Sequence, residues 1–217
     1  MTYSGQVTPG GPADVRELGA LTITKVSVGP MDNNAYLLEC RATGELCLVD
    51  AANDASTLLG LLGGRPLTRV VTTHQHRDHW VALEEVVSAT EARTAAGADD
   101  AVGIPVPTEE DLADGDVLDV GDAWLTVIHL VGHTPGSVAL LYEDPDGHPH
   151  LFTGDSLFPG GVGKTSGPEA FESLVDDVSR KIFDRLPDNT WFYPGHGKDS
   201  TLGAERPSLP EWRARGW

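Results

Sequence analysis

Apolar residues recur along the chain in short runs, most of them closed by a glycine or a proline. Residues 21–29 alternate, with Leu21, Ile23, Lys25 and Ser27 against Thr22, Thr24, Val26 and Val28. A period of two with β-branched side chains predicts a strand. Residues 33–40 and 46–52 predict the next two strands, and the β-branched run 67–73 predicts a buried one. Residues 116–120 and 123–131 read as a hairpin turning at Gly121-Asp122, and 138–142, 151–153 and 190–193 as further strands. Helical spacing covers residues 55–63, which stop at Gly63-Gly64, and residues 83–96. It returns over 169–186, where Phe171, Leu174, Val175, Val178, Ile182 and Phe183 share one face and Pro187 ends the run. Residues 97–110, with Asp99, Asp100, Gly103, Pro105 and Pro107, read as an irregular loop. Strand-like and helical segments in one chain predict a layered α/β protein.

The chemistry gathers where the strand-like runs stop. The run 67–73 ends in His74-Gln75-His76-Arg77-Asp78-His79, and Trp80 opens the following helical stretch. Imidazole and carboxylate are the usual ligands of zinc and of iron or manganese. Alternation places His74 and His76 on one side of the loop, where they can chelate one ion. Asp78 and His79, displaced by a step, can serve a second ion close by. The same punctuation recurs at Gly132-His133-Thr134-Pro135-Gly136-Ser137, at Gly154-Asp155-Ser156 and at Pro194-Gly195-His196-Gly197. Each is a strand-like run stopping at a turn that carries one ligand-type residue. His129 lies inside a strand, and His148 and His150 flank Pro149 in a turn, so these are read as structural or surface residues.

The motifs His74-x-His76-x-Asp78-His79, Gly132-His133-Thr134-Pro135-Gly136-Ser137, Thr153-Gly154-Asp155 and Pro194-Gly195-His196, in this order, resemble the metallo-β-lactamase-fold hydrolases. Within them the chain looks most like the glyoxalase II type, the hydroxyacyl-thiol thioester hydrolases, over roughly residues 20–200. The resemblance implies an αββα sandwich of two mixed sheets flanked by helices, with the metals at one end of the sheets. It implies that His74, His76 and His133 hold one ion, that Asp78, His79 and His196 hold the second, and that Asp155 bridges them. Asp78 and Asp155 are then the catalytic carboxylates. Two divalent ions are implied, zinc first and iron or manganese as alternatives. Asp50, in Val49-Asp50-Ala51, matches an aspartate that supports the metal loop in the family; an ordinary helix N-terminal carboxylate is the other reading. Lys164 matches a cation that contacts the thiol substrate. A persulfide dioxygenase with one iron, and a lactonase or other esterase, are the alternative activities in the same fold.

The chain departs from the glutathione-specific pattern. Thr165-Ser166 and Lys198 stand where aromatic residues are expected, Trp80 stands where a smaller residue is common, and the chain ends at Trp217, close behind His196. The resemblance therefore carries the chemistry further than it carries glutathione recognition. Residues 161–165 look like the end of a phosphate-binding loop, but that motif needs a glycine where Phe158 stands.

Composition adds limits. At 217 residues, with 40% hydrophobic and 22% charged side chains, the chain is long enough for one ordinary globular domain. Residues 1–20, with Gly5, Pro9, Gly10, Gly11 and Pro12, are expected to be a flexible arm, and 21–217 one domain. A formal net charge of −18 argues against a nucleic-acid partner, because phosphate binding needs a basic surface. No signal peptide and no run long enough to span a bilayer is expected. The expected location is cytoplasmic and the expected partner a small thioester or related thiol substrate, with a homo-oligomer left open. Cys40 and Cys47 flank a probable turn at Ala42-Thr43-Gly44, and read as two small buried residues more readily than as a disulfide. The tail with Trp212 and Trp217 is expected to pack on the body.

Overall fold

A computed structural model describes residues 3–216. A seven-stranded sheet takes the order β1-β2-β3-β4-β5-β6-β7. Its strands are β1 (Asp14–Glu17), β2 (Leu21–Val28), β3 (Asn33–Cys40), β4 (Leu46–Val49), β5 (Arg69–Thr72), β6 (Arg93–Gly97) and β7 (Glu110–Leu112). A six-stranded sheet runs β15-β14-β11-β10-β9-β8. It is built from β8 (Val117–Val120), β9 (Ala123–His129), β10 (Val138–Glu143), β11 (Pro149–Gly154), β14 (Trp191–Pro194) and β15 (Ser200–Thr201). A short ribbon of β12 (Leu157–Phe158) and β13 (Gly161–Val162) follows β11.

The burial pattern explains the layering. β3 and β10 are buried along nearly their whole length, so their residues feed two cores by alternation. Tyr36 and Leu38 enter the core between the sheets, with Leu125, Val127, Leu140, Phe152 and Tyr193 opposite. Leu37 points the other way, into a core that Leu46, Leu48 and Val70 share with Leu58, Leu62, Leu83 and Val86. Those last residues belong to α1 (Ala55–Leu62) and α2 (Leu83–Thr90). Across the six-stranded sheet, Ile128, Ala139, Leu141 and Leu151 pack on Leu174, Val178, Ile182 and Trp212. These helical residues come from α4 (Pro168–Asp177), its π-helical continuation Val178–Phe183, and α6 (Leu209–Arg215); short helices α3 (Ala98–Ala101) and α5 (Leu202–Glu205) complete the set. Helix, sheet, sheet, helix is the αββα sandwich.

Several expectations change. Residues 14–17, expected in a flexible arm, pair antiparallel with β2, and Tyr3 donates a 2.6 Å bond to Asp199. The glycines and prolines masked a strand of only four residues. The helix expected over 83–96 stops at Thr90, where Glu91 takes a left-handed turn, and 93–97 becomes β6. Ala95 and Ala96 are small enough for either structure, and pairing with β5 decides. Within the expected loop 97–110, Ala98–Ala101 is helical, and Glu110 opens β7. His150 is fully buried in β11 with Tyr193 Oη 2.8 Å from its Nδ1, not in a turn. Cys40 and Cys47 are buried free thiols. Trp212 packs on the body, while Trp217 lies outside the described residues. Among the described residues no helix is long and apolar enough to cross a membrane.

Candidate metal centre

Strand direction gathers the site. β4, β5, β6 and β7 are mutually parallel. β9 and β11 are each antiparallel to β10, and β11 is parallel to β14, so β9, β11 and β14 share one direction. Carboxyl ends of such strands are where α/β sheets present their side chains. Asp50 follows β4, His74 to His79 follow β5, His133 follows β9, Asp155 follows β11 and His196 follows β14. Backbone bonds close the rim between the sheets, Val138 N–H to Thr73 O at 2.9 Å and Asn34 N–H to Gly195 O at 2.7 Å, while Gly195 N–H to Gly154 O at 2.8 Å continues the pairing of β14 with β11.

The ligand-type atoms fall into overlapping triads. His74, His76 and His133 form one, Asp78, His79 and His196 another, and His74, His79 and Asp155 a third between them, with ligand atoms within 4.8 Å of one another in each. Asp155 Oδ1 lies 3.4 Å from His79 Nε2, and its Oδ2 lies 3.4 Å from His196 Nε2 and 3.7 Å from His133 Nε2. Asp78 Oδ2 lies 3.3 Å from His196 Nε2.

His74, His79, His133 and His196 are each anchored through the ring nitrogen that faces away. His133 Nδ1 is 2.6 Å from Lys164 O and His196 Nδ1 is 2.9 Å from Met31 O. A carbonyl only accepts, so both rings carry their proton on Nδ1 and turn Nε2 inward. His79 Nδ1 donates to Asp50 Oδ2 at 2.8 Å. Thr73 Oγ1 donates to the same Asp50 oxygen at 2.8 Å and accepts from His74 Nδ1 at 3.1 Å. His76 Nδ1–H donates to His133 Nε2 at 2.9 Å, and lone pairs without a donor remain in the middle. His74 Nε2 and Asp155 Oδ1 are buried with no hydrogen-bond partner. Orphaned lone pairs aimed at one another are costly unless a cation sits among them. The donor set, nitrogen and carboxylate oxygen with no thiolate, fits zinc, iron or manganese.

Electrostatics agree. Burial, aided by His79, holds the His74 imidazole well below its ordinary value, and burial lowers His133, so both rings are neutral at pH 7 with a lone pair available. Burial would raise Asp155, but the His196 and His79 imidazoles beside it outweigh this and hold the carboxyl well below the usual range. Burial also opposes the charge on His79, yet Asp50 and Asp155 outweigh it and push this imidazole up to about 10.

The structure thus brings together His74, His76, Asp78, His79, His133, Asp155 and His196, with Asp50 directly behind His79. Lys164 is exposed, and its carbonyl is what receives His133. Other residues of the site carry no motif signal. Thr73 reads as one more β-branched strand residue. Asn33, whose Nδ2 donates to Asp78 O and Oδ2 at 3.0 Å, reads as the start of a strand. Trp80 donates from Nε1 to Gln75 O at 2.8 Å, and so packs beneath the His74–His76 loop.

The family model for the metallo-beta-lactamase superfamily matches residues 28–196. With this sandwich and these triads at its rim, the chain belongs to that superfamily. A hydroxyacylglutathione hydrolase of Cereibacter sphaeroides is 36% identical over 168 residues, covering 76% of this chain and 62% of the relative. The chain therefore spans about three fifths of that relative's length. Among solved structures, ETHE1 from Myxococcus xanthus superposes with a TM-score of 0.77 at 26% identity, covering 88% of this chain and 84% of that one. TTHA1623 in a di-iron-bound form gives 0.70 at 31% identity, covering 86% and 98%.

Proposed function

We propose that this chain is a metal-dependent hydrolase that cleaves a thioester into an acid and a thiol. The observation that carries the reading is the complete pair of half-sites: His74, His76 and His133 beside Asp78, His79 and His196, with Asp155 between them. The hydrolases named among the relatives support the same reading. Two divalent ions held there, zinc in the first instance, would polarise a carbonyl and supply a water acidic enough to attack at neutral pH.

The chain's own residues prepare that chemistry. Asp155 spans the half-sites and holds its negative charge throughout the neutral range. Asp78, kept ionised by Asn33 and His79 against its partial burial, presents Oδ2 on the open side of the site. His76 and His196 are the more accessible imidazoles of the two half-sites, so a substrate carbonyl approaches past them, with His74 and His79 buried behind. Lys164, exposed beside His133, offers a cation to the thiol-bearing part of the substrate. A thiolate leaving group with a pKa of about 8.5 needs little protonation, which fits a site furnished with bases and no dedicated acid.

The test is metal analysis of anaerobically purified protein followed by turnover of several acyl thioesters. About two zinc, iron or manganese ions per chain with thioester cleavage supports the reading. One iron per chain, with oxygen uptake on a persulfide and no thioester cleavage, overturns it in favour of a dioxygenase. Asp155→Ala is expected to lose both ions and nearly all activity; a variant that kept both ions and ordinary turnover would remove Asp155 from its role.

A further inference from the structure

Asp100 is a fully buried aspartate in α3, and no motif includes it. Its oxygens accept from outside its own helix. Oδ2 takes the Gln75 N–H at 2.9 Å and the Thr134 hydroxyl at 2.6 Å, and Oδ1 takes the Gly136 N–H at 2.7 Å. Gln75 lies between His74 and His76, and Thr134 follows His133. One carboxylate therefore ties the loop after β5 to the loop after β9.

The surroundings leave little slack in this tie. The Gln75 peptide is held on its other side by Trp80 Nε1. A Cβ at Gly136 would run into the backbone of Asp99 and Asp100, and a Cβ at Gly97 would run into the Gly136 carbonyl. Glycine at both positions lets the chain entering α3 lie flush against the His133 loop. The other half-site has no bond to Asp100: Asp50, which also reaches His74 through Thr73, stands behind His79, Asn33 behind Asp78 and the Met31 carbonyl behind His196.

We propose that Asp100 is the positioning residue of the half-site made by His74, His76 and His133, setting the separation of the two loops and hence that half-site's affinity for its ion. The proposal rests on the reading of these residues as metal ligands. An ionised carboxylate only accepts, which suits the donors it faces; an amide would set a donor against a donor. Outer partners of metal ligands commonly govern affinity by ~10–100-fold.

The experiment is a zinc titration against a competing chromophoric chelator, with His133→Ala and His196→Ala assigning the two binding steps. Asp100→Asn is expected to weaken the step lost in His133→Ala by ~10–100-fold and to leave the step lost in His196→Ala in place. Thr134→Val removes the hydroxyl that bonds Asp100 and Ser137 at nearly constant shape while leaving the Gln75 and Gly136 bonds to Asp100, and is expected to weaken the same step less. It decides the matter if Asp100→Asn does not fold. Equal weakening of both steps, or no change in either, overturns the role of Asp100 while the metal-site reading stands. Absence of two-step zinc binding in the unmodified protein overturns both.

Discussion

At the residue scale, Asp50 is the hub. It sits in a left-handed turn at φ 60°, and its Oδ1 accepts the Thr73 N–H at 2.7 Å while Oδ2 receives His79 and the Thr73 hydroxyl that supports His74. Asp50→Ala is expected to lower ion affinity by ~10–100-fold, measured by chelator competition. His79 supplies a proton-linked prediction. With its pKa pushed up to about 10, His79 carries a proton at pH 7 in metal-free protein, and an ion bound to its Nε2 would displace that proton. Zinc loading at pH 7 should therefore release protons, read as a dependence of the calorimetric heat on the buffer's ionisation enthalpy. The stability sign follows from the same raised value. The contribution of His79 to the metal-free fold is complete below about pH 6.5 and fades as pH rises through about 10. Denaturant melts of metal-free protein should show this loss; a flat profile between pH 7 and 10 would contradict it.

At the element scale, the site depends on close approach between strand ends. Gly97 has an ordinary backbone conformation, so only space explains it: its α-carbon faces the Gly136 carbonyl with no room for a methyl group. Gly97→Ala is expected to cost about 1–3 kcal/mol by overpacking, measured by chemical denaturation, and to lower ion affinity as the His133 loop is pushed outward. The elements themselves were largely legible. Alternation marked β2, the histidine cluster marked the end of β5, and glycine turns marked the ends of β9, β11 and β14, because a buried strand must stop where its backbone meets solvent. β6 was not legible: Ala95 and Ala96 bear no period, and only β5 on one side and β7 on the other make them a strand. For the same reason Asp100 could not be singled out, since its partners lie far away in sequence at Gln75, Thr134 and Gly136.

At the scale of the whole molecule, the N-terminal segment meets the loop after β14 at a buried ion pair. Lys25 Nζ lies 2.6 Å from Asp199 Oδ1 with both side chains almost wholly buried, and donates to Gly5 O at 2.8 Å and Gly197 O at 2.7 Å. Asp199 also accepts from Tyr3 Oη and Trp191 Nε1, and Arg16 lies over the Tyr3 and Trp191 rings. This latch clasps residues 3–17 against the segment that carries His196. Lys25→Met is expected to cost about 3–5 kcal/mol, because it strands a buried carboxylate. Lys25→Met with Asp199→Asn should recover part of that loss in denaturant melts; no recovery would mean that the lysine contributes through packing alone.

The sequence by itself determined which residues could bind metal, because ligand chemistry resides in the side chain and a strand-ending turn leaves a local mark. It also determined the layered class, through the period of the apolar positions. Only the tertiary structure decided how these side chains are oriented. The hydrogen bonds that aim Nε2 of His133, His196, His79 and His74 inward come from Lys164 O, Met31 O, Asp50 and Thr73, on loops that the sheets bring together. A carbonyl is the same in every residue, so its selection as a partner is a matter of position in space and leaves no trace in composition or spacing.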